Sequence, residues 1–307
     1  MFKVKPELHQ NPLLNKLIIT NNSLNLKGII YPNLGASLQQ LISNNNSLIN
    51  GISDDLNGIE TYRKMFNSAF LFPFPNRIEN GKYSFQYKNY QLVCNESKLN
   101  NAIHGHIYNK SFKIENIVTS KTKTSILLNY DYNGDIDGFP FPYTLNITYS
   151  FEENKISIEF KVLNTGENTF PFGIGWHPYF NSTNLAESIL NFKGKFQYKL
   201  SEKMIPISKH QFPFKMPFKI NDISLDDCFN LEKPKITLTT KNTNLEINFK
   251  SVSKLNYLQI YTPENRKSIA IEPITCAPNS FNNHYGLLQL PSQETFKWAI
   301  TLNYDLK

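Results

Sequence analysis

Apolar and polar residues alternate along much of the chain with a period of two. Tyr143, Leu145, Ile147, Tyr149 and Phe151 are interleaved with Thr144, Asn146, Thr148 and Ser150. After the polar segment FEENK the pattern resumes, with Ile156, Ile158, Phe160 and Val162 separated by Ser157, Glu159 and Lys161. Successive side chains of a strand point to opposite faces, so two such runs joined by a polar turn predict an antiparallel hairpin with one face on a core. The pattern recurs at Tyr83, Phe85 and Tyr87, at Ile236 and Leu238, at Leu245, Ile247 and Phe249, and at Phe296, Trp298, Ile300, Leu302 and Tyr304. Turns are expected at 44–46, 87–89, 133–138 and 241–244, where short polar segments interrupt the alternation.

No segment keeps an i, i+3, i+4, i+7 apolar stripe beyond about two turns. The best helical candidate is the short stretch ETYRKMFNSA at 60–69. Many closely spaced strands with little helix predict an all-β protein, a sandwich or barrel. The last alternating run reaches almost to Lys307, so the C-terminus is expected to be tied into a sheet. No linker, repeat or low-complexity block divides the chain, and the expectation is a single domain over 1–307.

Composition narrows the classes. The 307 residues are 40% hydrophobic and 19% charged, too apolar for a disordered chain. Lys and Arg total 32 against 25 acidic residues, for a net charge of +7. Only Arg63, Arg77 and Arg266 are arginines, and the lysines are scattered, whereas a nucleic-acid reader clusters its basic residues and favours arginine for bidentate contacts. No nucleic-acid partner is expected. Cys94, Cys228 and Cys276 lie far apart with no C-x-x-C pair, which speaks against a disulfide framework or zinc ribbon. The N-terminal residues lack the apolar core of a signal peptide, and no apolar run approaches the ~18 residues of a membrane span. The expected setting is the cytoplasm, without a membrane partner.

Two stretches break the alternation, NSAFLFPFPNRIEN at 67–80 and FPFGIGWHPYFNSTN at 170–184. Both mix aromatics, Pro, Gly and polar groups, a mixture suited to a concave site and not needed by a packed strand. His177 sits between Trp176 and Pro178, where its ring is held by a stiff backbone; the alternative is a buried structural histidine. His104 is followed by Gly105 and His106. On a strand the two rings would share a face as a metal pair, but no third ligand is visible at suitable spacing, and no metal is expected. Glu272 ends the apolar run Ile269, Ala270, Ile271, where lost hydration would raise its pKa toward that of a useful base. The alternative is a strand-end carboxylate facing water. Arg77, among prolines and aromatics, is either a fixed donor of paired hydrogen bonds or a surface partner of Glu79. Asp226 and Asp227 offer acceptor oxygens for hydroxyl groups, or simply a solvated loop. Phosphate-loop, dinucleotide and hydrolase-elbow motifs are missing from the sequence. Acids, histidines, one arginine and many aromatics on a β framework suggest an uncharged polyhydroxylated ligand, a sugar.

Taken in order, LGASLQQL (34–41), FPFPNRIENGKYSF (72–85), NAIHGHIY (101–108), GWHPYFN (175–181), LDDCF (225–229), LQIYTP (258–263) and IEPITCAPNSFN (271–282) resemble the aldose 1-epimerase (galactose mutarotase) family. The match is to its broader bacterial mutarotase-like group. The resemblance implies a large antiparallel β supersandwich and interconversion of the α- and β-anomers of a hexose without a cofactor. It also implies Glu272 as general base, His177 as general acid, and Asn76, Arg77, His104, Asp226 and Gln259 as sugar-binding residues. Asp227 stands in for Asp226 if the register differs by one. The partner implied is a small aldose, the protein being a monomer or homodimer. The alternatives are a hexose-6-phosphate 1-epimerase and a non-catalytic sugar-binding sandwich.

Overall fold

A computed structural model describes residues 1–252 and 256–307. The hairpin expected from alternation is formed by the strands Tyr143–Glu152 and Lys155–Asn164, paired antiparallel from Tyr143 opposite Asn164 to Glu152 opposite Lys155. Every apolar member of the two runs is buried. The C-terminal strand Thr295–Leu306 lies against Lys155–Asn164 on one side and Thr243–Phe249 on the other, so the end of the chain is held within a sheet.

These strands belong to an antiparallel sheet of fifteen among the described residues. Beyond Thr243–Phe249 the sheet continues through Asp226–Thr239, Asn256–Tyr261, Ser268–Ile274 and Gly175–His177 to Ala69–Leu71. A second sheet of five strands, Lys3–Glu7, Lys16–Asn21, Leu26–Tyr31, Ser37–Ser43 and Asn46–Ser47, packs against the hairpin face. Tyr149 donates its hydroxyl to the Ala36 carbonyl at 2.8 Å across this interface. A Cβ on Gly28 would come within 2.9 Å of the Phe151 ring, so the two layers meet where one of them has no side chain. Between them Phe70 meets Phe160 edge to face at 4.8 Å, next to the buried Trp176. Fully burying each such side chain stabilises the fold by roughly 1.5–3 kcal/mol. The architecture is the all-β supersandwich, with little helix.

Three local expectations need correction. The helix runs Leu56–Met65 and not 60–69. It starts early because the Asp55 side chain accepts a hydrogen bond from the Gly58 amide, and it stops because Phe66 turns left-handed at φ 53°. The turn expected at 87–89 falls at 86–87, where Gln86 and Tyr87 both have positive φ, leaving Tyr87 exposed and outside the alternation. His104 and His106 do not share a strand face. The strand Asn101–Ile103 ends before His104, whose φ is 64°. His106 instead packs beside Tyr132 and Phe139 with Nε2 2.8 Å from the Tyr143 hydroxyl.

Candidate active site

The strand Ser268–Ile274 is buried along its whole length. Its pleat sends Ile269 and Ile271 into the core and Glu272 to the opposite face, where Gln259 of Asn256–Tyr261 lies directly across the ladder. Gln259 is in turn paired with Cys228 of Asp226–Thr239, which brings the start of that strand alongside. The Gln259 amide donates to Asp226 Oδ1 at 2.7 Å, and its oxygen accepts from Asn76 Nδ2 at 3.3 Å. His177 ends the strand Gly175–His177, opposite Ala69, with Trp176 in the core and its own ring on the other face.

The remaining wall is a two-stranded unit in which Arg77 pairs with Ile103. The next residues outward, Asn76 and His104, are therefore neighbours. The His104 amide donates to the Asn76 carbonyl at 2.9 Å, and the Asn76 amide donates to His104 Nδ1 at 3.2 Å. Gly105 makes this corner possible: at φ 69° a Cβ would lie 2.1 Å from the Phe72 carbonyl oxygen. All seven residues singled out in the sequence, Asn76, Arg77, His104, His177, Asp226, Gln259 and Glu272, line one cleft of about 940 Å³. Asp226 faces this cleft. Asp227 lines the adjoining groove and accepts from Gln197 Nε2 at 2.7 Å.

The electrostatics centre on His177 and Glu272, whose Nε2 and Oε1 are 3.3 Å apart and almost sealed from solvent. Burial pushes the Glu272 carboxyl well above its ordinary value; nearby Asp226 adds to this, and Arg77 opposes it. Burial likewise pulls the His177 imidazole down to about 4. Both shifts favour the uncharged forms, a protonated carboxyl beside a neutral imidazole. His104 is kept neutral by burial and by the nearby His177 and Arg77. Because its Nδ1 is an acceptor, the ring proton sits on Nε2 as a donor. Burial also raises Asp226, against the pull of Arg77.

Several lining residues escaped the sequence reading. Phe66, delivered by the helix end, meets the His104 ring at 4.6 Å, and Tyr179 stacks on His177 at 5.1 Å. Tyr261 lines the same wall. Tyr179 and Tyr261 lie within the quoted motifs HPYF and LQIYTP, whereas nothing local marks Phe66. Arg77 is not paired with Glu79; its partner is Glu96, at 2.8 Å from Nη2. Among the described residues, no cluster of three or more His, Cys, Asp or Glu could hold a metal ion.

Burying neutral histidines couples folding to pH. An unfolded histidine takes up a proton near its ordinary pKa of 6.5, whereas folded His177 resists until about 4 and His104 is also depressed. The stability this contributes is complete above pH 6.5 and is lost as pH falls toward 4. Because raised Glu272 and Asp226 act in the opposite sense, the histidine contribution is read as a difference: in urea unfolding the stability of the wild type relative to His177→Asn is expected to fall as pH drops from 6.5 toward 4. A difference unchanged from pH 7 to 4.5 would contradict the burial of an uncharged ring at position 177.

The family model described as aldose 1-epimerase matches residues 17–303. The chain belongs to the aldose 1-epimerase family. Among curated proteins, this epimerase-family chain is 29% identical over 232 residues to the uncharacterized protein YihR of Escherichia coli K12, covering 72% of this chain and 74% of that one. Among solved structures it is similar to a galactose mutarotase-like protein from Clostridium acetobutylicum, with a TM-score of 0.85 and 19% identity over 100% of this chain and 99% of the other. The galactose 1-epimerase of Lactobacillus acidophilus gives a TM-score of 0.81 at 17% identity, again over 100% and 99% of the two chains. At such identities these structures establish the supersandwich fold alone.

Proposed function

We propose that the protein interconverts the α- and β-anomers of a hexose, with Glu272 as base and His177 as acid. The observation carrying this reading is the buried contact of the two groups at 3.3 Å. Ring opening needs a proton taken from the C1 hydroxyl and another given to the ring oxygen. Both oxygens are bonded to C1, so the base and the acid must converge on one carbon.

The reactive form of the pair is the carboxylate with the imidazolium, a proton shift away from the neutral acid and imidazole. Glu272 takes the hydroxyl proton as C1 becomes a carbonyl. The C1–ring oxygen bond breaks, and its electron pair receives the proton from His177 Nε2. Rotation about C1–C2 presents the other carbonyl face. His177 then removes the proton from the C5 hydroxyl as that oxygen attacks C1, and Glu272 returns its proton to O1. Each turnover restores both groups. Arg77 and His104 Nε2–H serve the ring-oxygen side, where charge develops, while Asn76, Asp226 and Gln259 engage hydroxyl groups. Phe66, Tyr179 and Tyr261 supply flat apolar surface for the sugar's carbon face.

Polarimetry of freshly dissolved α-anomers across a sugar panel tests the reading. At least one sugar is expected to reach equilibrium faster with protein than without it. Its pH profile should be level while the pair holds one proton. The rate should fall below about pH 4 as His177 gains a proton alongside protonated Glu272, and again at alkaline pH as the pair loses its proton. A second reading, a hexose 6-phosphate, draws on Arg63, Lys64 and Lys98 along the same cleft, although Glu60 already engages Arg63 at 2.7 Å. Including phosphorylated sugars separates the two readings.

A further inference from the structure

Arg77 has five N–H donors, and its Nε–Nη2 edge is already committed. Glu96 accepts from Nε with both oxygens, at 3.1 and 2.9 Å, and from Nη2 at 2.8 Å. Among the described residues, the Nη1 side makes only a long contact, 3.4 Å, with Asn76 Oδ1. The Glu96 carboxylate is itself anchored. Asn101, fully buried, donates from Nδ2 to Oε2 at 3.1 Å, and the two backbones exchange hydrogen bonds at 3.1 and 3.3 Å. Both members of the ion pair are largely shielded, with side chains 13% and 18% exposed. Such a pair, bidentate and braced from behind, has a defined geometry that a surface pair lacks.

We propose that Glu96 is a positioning residue for the epimerase site: it clamps the Nε–Nη2 edge of Arg77 so that Nη1 is turned to the sugar, and it balances a charge that would otherwise bear fully on Glu272 and Asp226. The inference deepens the epimerase reading and rests on it. Asp226 and Glu272, both within the cleft, also feel the Arg77 charge. Released from Glu96, the guanidinium is free to turn onto one of these carboxylates, which would take a hydroxyl acceptor or the base out of use. It would also favour the ionised form of Glu272, so the proton shared with His177 would leave at lower pH.

The test compares the full-length wild type with Glu96→Gln, Glu96→Asp and Arg77→Ala by polarimetry across pH, with thermal unfolding of each. Glu96→Gln keeps the shape and removes the charge. It is expected to lose roughly tenfold or more in kcat/KM, through both KM and kcat, and to move the alkaline limb to lower pH. Glu96→Asp should keep the limb near its wild-type position. A merely structural carboxylate would lower the melting temperature without moving that limb. If Arg77→Ala is impaired while Glu96→Gln retains the wild-type KM and limb, the proposal is overturned. A wild type that accelerates no anomer at all would remove the epimerase reading itself, and the role given to Glu96 with it.

Discussion

Glu272→Gln is expected to lower kcat by a factor of about 10² to 10⁴ while leaving sugar binding in place, since loss of a positioned proton-transfer group has costs of that order. The amide fills the same volume, but it cannot take the proton from the C1 hydroxyl. Asn76, Arg77, His104, Asp226 and Gln259 are untouched, so calorimetric titration should still detect the sugar. The variant should fold at least as well as the wild type. The raised Glu272 carboxyl adds to wild-type stability at low pH, and that contribution is lost as pH rises through its folded pKa. Glutamine has no such dependence, so the stability comparison should move in favour of the variant as pH climbs. Polarimetry read above the spontaneous rate decides the kinetic part, and a wild-type kcat would remove Glu272 from the chemistry.

The second large effect is that of His177→Asn, again about 10² to 10⁴ in kcat. Without the imidazolium the ring oxygen must leave as an unprotonated alkoxide. The variant carries a signature that packing loss alone would not give. On the proposed mechanism the wild-type base works only while its neighbour holds a proton, which would produce the alkaline limb. With asparagine at 177 the carboxyl titrates alone, so the residual rate should rise with pH as Glu272 ionises and then level off. A variant that kept the wild-type alkaline limb would show that the proton comes from elsewhere.

The fold was legible because a half-buried strand writes its period directly into the residue pattern. The hairpin from Tyr143 to Asn164 has the alternation, turn and burial that its sequence implies. Where a single side-chain hydrogen bond or a left-handed residue decides an end, periodicity carries no information; Asp55 and Phe66 shifted the helix in this way. The same holds for His104, whose left-handed backbone separates it from His106. Arg77, His177 and Glu272 could be singled out because they stand in stretches that break the alternation or end an apolar run, whereas Asn76 and Gln259 are marked only by the family resemblance. Their convergence depends on ladder register, such as Gln259 opposite Glu272, which no local pattern records. Glu96 left no trace at all. It reaches Arg77 because the chain folds back onto Asn101, so its sequence surroundings resemble any polar loop.

Exchange spectroscopy at anomeric equilibrium most directly tests whether a buried acid–base pair makes this a catalyst and not a sugar-binding sandwich. Nuclear magnetic resonance of the anomeric protons, with a substoichiometric amount of protein, measures α-to-β interconversion without any net reaction. The account predicts exchange cross-peaks between the two anomers with the wild-type protein, falling to the spontaneous level with Glu272→Gln. Sugar binding detected without exchange in the wild type, or exchange equally fast in the variant, would contradict it.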